Sequence, residues 1–174
     1  EKQIASIRRT QTQIDLLSKP DLNPFQAVAY DRSIDVFTQP ASKQHSLIFV
    51  KRPEEEAHSI GFMAALSTFS NMRGFSTAQT ELLIYDEFIP EKGVITKKTE
   101  GDSFLNAYTT INGNRELNGK PPVRLWLLAN SNNINSPILT SLGLIDPVLR
   151  MREKHEELYI KNGVLICQPS SEKI

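Results

Sequence analysis

Two adjacent carboxylates, Asp86 and Glu87, follow directly on the apolar run Leu82, Leu83, Ile84 and Tyr85. Such a run predicts a strand buried on both faces, of the kind found inside a parallel sheet. Ligands of open α/β sheets bind beyond the carboxyl ends of the strands, where this pair would emerge. Two carboxylates at that place can form the acidic half of an ATP site. The first would hold Mg²⁺, directly or through its water shell, and the second would polarise a water for attack on the γ-phosphate. The plain alternative is a polar end to an ordinary strand, because four apolar residues before Asp-Glu recur by chance.

A second apolar run, residues 123–129, predicts another strongly buried strand and ends in Asn130, Ser131, Asn132 and Asn133. An amide at a strand tip offers both a donor and an acceptor, so Asn130 could hold the attacking water or sense the γ-phosphate. Alone it reads as an Asn-rich turn. Beside Asp86 and Glu87 it reads as a sensor. Arg8 and Arg9 close a short first strand and either clamp phosphate or end the strand in solvent. Arg73 is a lone cation in the polar segment 67–74. The loop 89–101 carries Lys92, Lys97 and Lys98 and either reaches a partner or DNA backbone or is a solvated connection. His58 has no second ligand at metal spacing and, like His155, reads as a surface residue.

The elements that must position these groups are strands over 4–7, 61–66, 82–85 and 123–129. A hairpin over 34–50 and a second over 158–167 lie outside them. In the second, Asn162-Gly163 between two β-rich runs is a strong hairpin signal. Helices are expected near 25–32 and 102–111, the latter placing Phe104, Leu105, Tyr108 and Ile111 on one face and stopping at Asn112-Gly113, with a short helix or turn over 137–144 and another starting at Pro147 with Val148, Leu149 and Met151. The expected architecture is an α/β three-layer domain with a mostly parallel central sheet and peripheral β-hairpins.

The chain has 174 residues, 39% of them hydrophobic and 23% charged, which suits one domain with a real core. Twenty basic and twenty acidic residues cancel, so no overall positive field advertises nucleic acid and any DNA contact must be local. The single cysteine, Cys167, excludes an internal disulfide and suits a reducing compartment. No apolar run approaches the roughly 20 residues that span a membrane. A phosphate loop of the form Gly-x-x-x-x-Gly-Lys-Ser/Thr is absent, and the one Gly-Lys, at Gly119-Lys120, runs into Pro121. Either the protein is not an ATPase, or the chain, which begins with Glu1 and runs almost at once into a strand, is a fragment lacking a first strand, phosphate loop and helix, a unit of roughly 30 to 50 residues.

With these pieces in order, the chain resembles the DNA-packaging (encapsidation) ATPases of small tailed phages, relatives of the large-terminase motor subunits. The residues carrying the resemblance are Ile7-Arg-Arg-Thr10, Ala65-Leu-Ser-Thr-Phe69 with Arg73, Leu83-Ile-Tyr-Asp-Glu-Phe-Ile89 with Glu91-Lys92, Asn114-Arg-Glu116, and 123–130 followed by Asn135-Ser-Pro137. The resemblance implies a P-loop NTPase-like (ASCE) core over residues 1–168, truncated at the phosphate loop, with 169–174 a tail or linker. It implies ATP and Mg²⁺ as cofactors, and a ring of subunits that drives double-stranded DNA into a procapsid through its portal in the host cytoplasm, with a packaging RNA as a further candidate partner and no membrane partner. In the family's terms Asp86 resembles the Walker B aspartate that organises Mg²⁺, and Glu87 the glutamate that activates water. Asn130 sits where the motif coupling hydrolysis to movement ends. Arg115 resembles a trans-acting arginine, although Gly113 stands where the family often has another arginine, and Arg73 falls near the intersubunit site. Two rival readings are a metal-dependent nuclease using Asp86, Glu87 and Asp102, and a non-catalytic capsid or portal assembly module.

Overall fold

Burial alternates residue by residue along most of the strands, which is the period of a sheet with one face more deeply covered than the other. The computed structural model describes residues 2–23, 25–72, 76–91, 93–130 and 134–169, without the side chains of Pro20 and Val28. The chain divides into two compact units, Glu1–Phe88 with Ser103–Leu128, and Ile89–Asp102 with Ala129–Ile174.

The first unit is built on a six-stranded sheet of β1 (Gln3–Arg8), β2 (Asp35–Pro40), β3 (His45–Lys51), β4 (His58–Ala65), β5 (Thr80–Asp86) and β6 (Arg124–Leu128), in the order β2-β3-β4-β1-β5-β6. Strands β4, β1, β5 and β6 run parallel, and β2 and β3 join antiparallel as a hairpin on β4. The mostly parallel sheet and its edge hairpin match the sequence expectation. His58 belongs to β4 and not to a surface link.

Helices cover the sheet unevenly. On one face, α3 (Glu100–Asn112) lays Phe104, Ala107 and Ile111 on the sheet, with the Phe104 ring 5.5 Å from that of Tyr85. Tyr108 donates its hydroxyl proton to the Val123 carbonyl oxygen at 2.8 Å. Burial first, and then the nearby Glu116 charge, raises the Tyr108 pKa and keeps that donor protonated. On the other face α1 (Gln11–Leu17) buries Ile14 among Val36, Ile48, Val50, Met63 and Ala65, and α2 (Gln26–Arg32) lies next in the chain. Helix α1 starts in a capping box, Thr10 and Gln13 each accepting the other's backbone N–H.

Two sequence expectations are corrected here. Leu83 and Tyr85 of β5 are buried, but Leu82 and Ile84 on the opposite face are only partly covered. β6 is an edge strand, with Trp126 and Leu128 54% and 46% exposed. An apolar run shows that a strand can be buried on both faces, and only its neighbours decide whether it is.

The second unit holds α4 (Pro137–Ser141), α5 (Ile145–Lys154) and the hairpin of β7 (Leu158–Lys161) and β8 (Val164–Cys167). Asn162 and Gly163 turn that hairpin with positive φ at both positions, as the Asn-Gly signal requires. Gly101 lies so close to Pro137 and Ser141 of α4 that a β-carbon has no room. Among the described residues no helix is long and apolar enough to cross a membrane.

Candidate functional site

The parallel strands deliver their carboxyl ends to one edge of the first unit. Ile7 pairs with Tyr85 and Arg8 with Ala65, so Arg8 comes level with Asp86 between β4 and β5. Asp86 in turn pairs with Leu128 at the tip of β6. The acidic pair thus stands where a doubly wound sheet receives ligands.

Arg8 spans both carboxylates. Its Nη2 lies 2.6 Å from Asp86 Oδ2 and its Nη1 3.1 Å from Glu87 Oε2. The arginine side chain is only 12% exposed, whereas the carboxylates are 36% and 61% exposed, so the acids face solvent over a cation held beneath them. Asp86 Oδ1 accepts the Glu87 backbone N–H at 3.0 Å. Glu87 Oε2 also accepts from Gln13 Nε2 at 3.3 Å, and Arg9 donates to the Phe88 carbonyl oxygen at 3.0 Å. Glu87 itself has φ 55, in the left-handed region, where a non-glycine residue persists only if its surroundings hold it.

The carboxylates already hold one cation, the Arg8 guanidinium. Solvent-facing carboxylates are the ligands a divalent ion takes together with substrate phosphates, so the two acids would suit such an ion where it displaces the guanidinium. Among the described residues no three His, Cys, Asp or Glu side chains come together as a metal cluster.

The remaining candidates fall elsewhere. Arg115 is buried to 7% exposure, and its guanidinium donates to the carbonyl oxygens of Pro121 (2.9 Å), Thr80 (2.9 Å) and Ala78 (3.4 Å). Thr80 begins β5 and Asp86 ends it, so Arg115 sits about 20 Å from the acidic pair, at the far edge of the sheet. Asn130 follows β6 by two residues, is exposed, and belongs to the second unit, as does Asp102. Arg73, Lys92 and the Ser131, Asn132 and Asn133 that follow Asn130 lie outside the described residues.

Sequence reasoning missed the role of Arg8 and Gln13 at the acids. The Arg8-Arg9 pair was visible, but only the order β1-β5 reveals that its partners are carboxylates. The Thr-x-x-Gln spacing from Thr10 to Gln13 is a readable capping-box signal, and it fixes where the Gln13 amide starts from.

No protein-family model matches the chain, and no curated protein sequence matches it. Solved structures do. The N-terminal domain of the DNA packaging ATPase from bacteriophage phi29 superposes with a TM-score of 0.70 at 20% identity, over 98% of this chain and 76% of that one. The bacteriophage Phi-29 viral genome packaging motor assembly matches with 0.69 at 18%, over 98% and 45%. The Phi-28 gp11 DNA packaging motor matches with 0.66 at 18%, over 98% and 49%. The chain thus spans about half the length of the two motor proteins. With 98% of its length superposed and its acidic pair at the carboxyl edge of the sheet, this chain has the fold of the phage DNA-packaging ATPase N-terminal domain.

Proposed function

We propose that the chain is the ATPase core of a motor subunit that hydrolyses ATP to drive double-stranded DNA into a viral procapsid. The observation that carries this is the Asp86–Glu87 pair at the carboxyl end of an inner parallel strand, in the fold of a packaging ATPase domain. Asp86 would hold Mg²⁺, which supplies charge neutralisation at the polyphosphate. Glu87, more exposed and next in line, would orient and polarise the attacking water. Arg8 sets the resting state. While its guanidinium bridges both acids, it holds Asp86 Oδ2 and Glu87 Oε2, so nucleotide and metal have to compete with the arginine for those two oxygens.

This reading requires a phosphate-binding segment, which the 174 residues do not contain. Among the described residues the outer edge of β6 has no strand against it, and it can receive one more parallel strand. The likeness to assembled packaging motors supports an oligomeric state, and a ring, double-stranded DNA and a procapsid portal are the partners this reading requires.

The test uses the intact protein. Glu87→Gln should abolish ATP hydrolysis while ATP binding stays within about twofold, because only the water-activating oxygen is exchanged. Hydrolysis unchanged in Glu87→Gln, or no ATP binding by the wild-type protein, would overturn the proposal. The second result would leave a docking module.

A further inference from the structure

We infer that Gln13 is a positioning residue for the Glu87 carboxylate, tying the catalytic acid to the start of α1. This rests on the ATPase reading above and names a residue that sets the geometry of that site.

The argument begins with the backbone. Glu87 sits at φ 55, a left-handed conformation that a residue with a β-carbon keeps only where its surroundings fix it. The anchors come from one junction, between β1 and α1. Arg8 grips Glu87 Oε2 from the strand end, and Gln13 Nε2 reaches the same oxygen from the first turn of the helix. Glu87 Oε1 is not used by these two anchors and remains the oxygen to offer a water.

The Gln13 amide does two jobs with its two ends. Its Oε1 accepts the Thr10 backbone N–H at 3.0 Å, closing the capping box, while its Nε2 donates to Glu87. One planar group therefore links the helix N-cap rigidly to the carboxylate. Arg8 alone is a charge that both acids share; Gln13 touches Glu87 and not Asp86, so it decides where Glu87 points relative to its neighbour. Glutamate at position 13 would keep the cap, since Glu serves at that capping-box position as well as Gln, but would present an acceptor to an acceptor.

The experiment separates the contact from the reaction. In the 174-residue chain, the side-chain amide resonance of Gln13 is followed by NMR in wild type and in Glu87→Gln. A shift confined among the glutamine side chains to Gln13 is expected, and an unmoved Gln13 signal would overturn the contact. In the intact protein, Gln13→Glu should lower kcat for ATP by up to about 100-fold, the cost of a misplaced reacting group, with KM for ATP within twofold. Thr10→Ala, which weakens the same cap but leaves the Gln13 donor, should change kcat by less than about twofold. Equal losses in Thr10→Ala and Gln13→Glu would make Gln13 a capping residue only. Should the wild-type protein fail to hydrolyse ATP, the ATPase reading falls, and the NMR comparison still decides whether Gln13 holds Glu87.

Discussion

Arginine is used in two opposite ways in this chain. Arg8 stays at the acidic edge, its charge turned to carboxylates that face solvent. Arg115 is sealed in at the other edge, its fork spread over three backbone carbonyls that close the turn before β6 and the start of β5. As placed in this fold, Nε and Nη1 of that guanidinium are engaged within its own subunit, so a role across a subunit boundary that uses them requires Arg115 to leave those carbonyls. Arg115→Ala leaves buried acceptors without donors and should destabilise the first unit by about 2–4 kcal/mol. Arg115→Lys should recover only part of this, since an ammonium cannot reproduce the planar fork. Urea unfolding of the 174-residue chain measures both. An Arg115→Ala variant as stable as wild type would mean that the guanidinium is free to serve elsewhere, and would restore it as a trans-acting candidate. Any loss of hydrolysis in this variant has to be read after its stability.

At the scale of elements, strands and hairpins were legible because their signals are local. The alternation through β2 and β3 and the Asn162-Gly163 turn announce themselves in a few residues. Coverage was not legible. Nothing within residues 123–129 says that β6 has one neighbour, because strand order is decided by crossovers far away in the chain. The same holds for the site: Asp86 and Glu87 could be found from their spacing, and Arg8 only from the pairing of β1 with β5. Two predictions belong at this scale. Gly61 sits where β4 passes β1, and a β-carbon there would collide with the Ile4 backbone, which cannot swing aside. Gly61→Ala should therefore cost more than about 3 kcal/mol, beyond ordinary overpacking, and should abolish the cooperative thermal transition seen by circular dichroism. His45 opens β3, its Nδ1 2.8 Å from Ser42 Oγ, and burial lowers its pKa below 6.5. The unfolded chain then takes up a proton before the folded one does. This contribution to stability is intact above pH 6.5 and is lost as the pH falls through 6.5 toward the lowered folded value. His45→Asn, which can keep a partner for Ser42, should flatten the dependence of the unfolding midpoint on pH in that window. An unchanged pH slope would show that His45 is not the titrating group.

The molecule as a whole carries an imbalance that the ATPase reading explains. Adjacent residues in register share a face, so Ser6, Ile84 and Trp126 lie on the side where Met63 packs with Ile14 of α1. That helix covers the sheet over β4 and its hairpin. Over β1, β5 and β6 the same face leaves Ile4, Leu82 and Ile84 partly covered and Trp126 and Leu128 in solvent. Parallel sheets are normally covered on both faces, and their inner strands are paired on both edges. A strand against β6, followed by a helix across this face, would satisfy both needs and bring a phosphate loop to the edge where Asp86 and Glu87 stand. Trp126 is the only tryptophan in the chain, so its emission reports on this one place. In the 174 residues alone its fluorescence should be red-shifted and readily quenched by acrylamide. In a protein that also carries such a strand and helix it should move to the blue and resist quenching, whether or not nucleotide is present, because those elements would belong to the fold and not to the ligand. Equal quenching in both would show that the nucleotide-binding segment docks somewhere else, and Asp86 and Glu87 would then lack the phosphate loop that their chemistry needs.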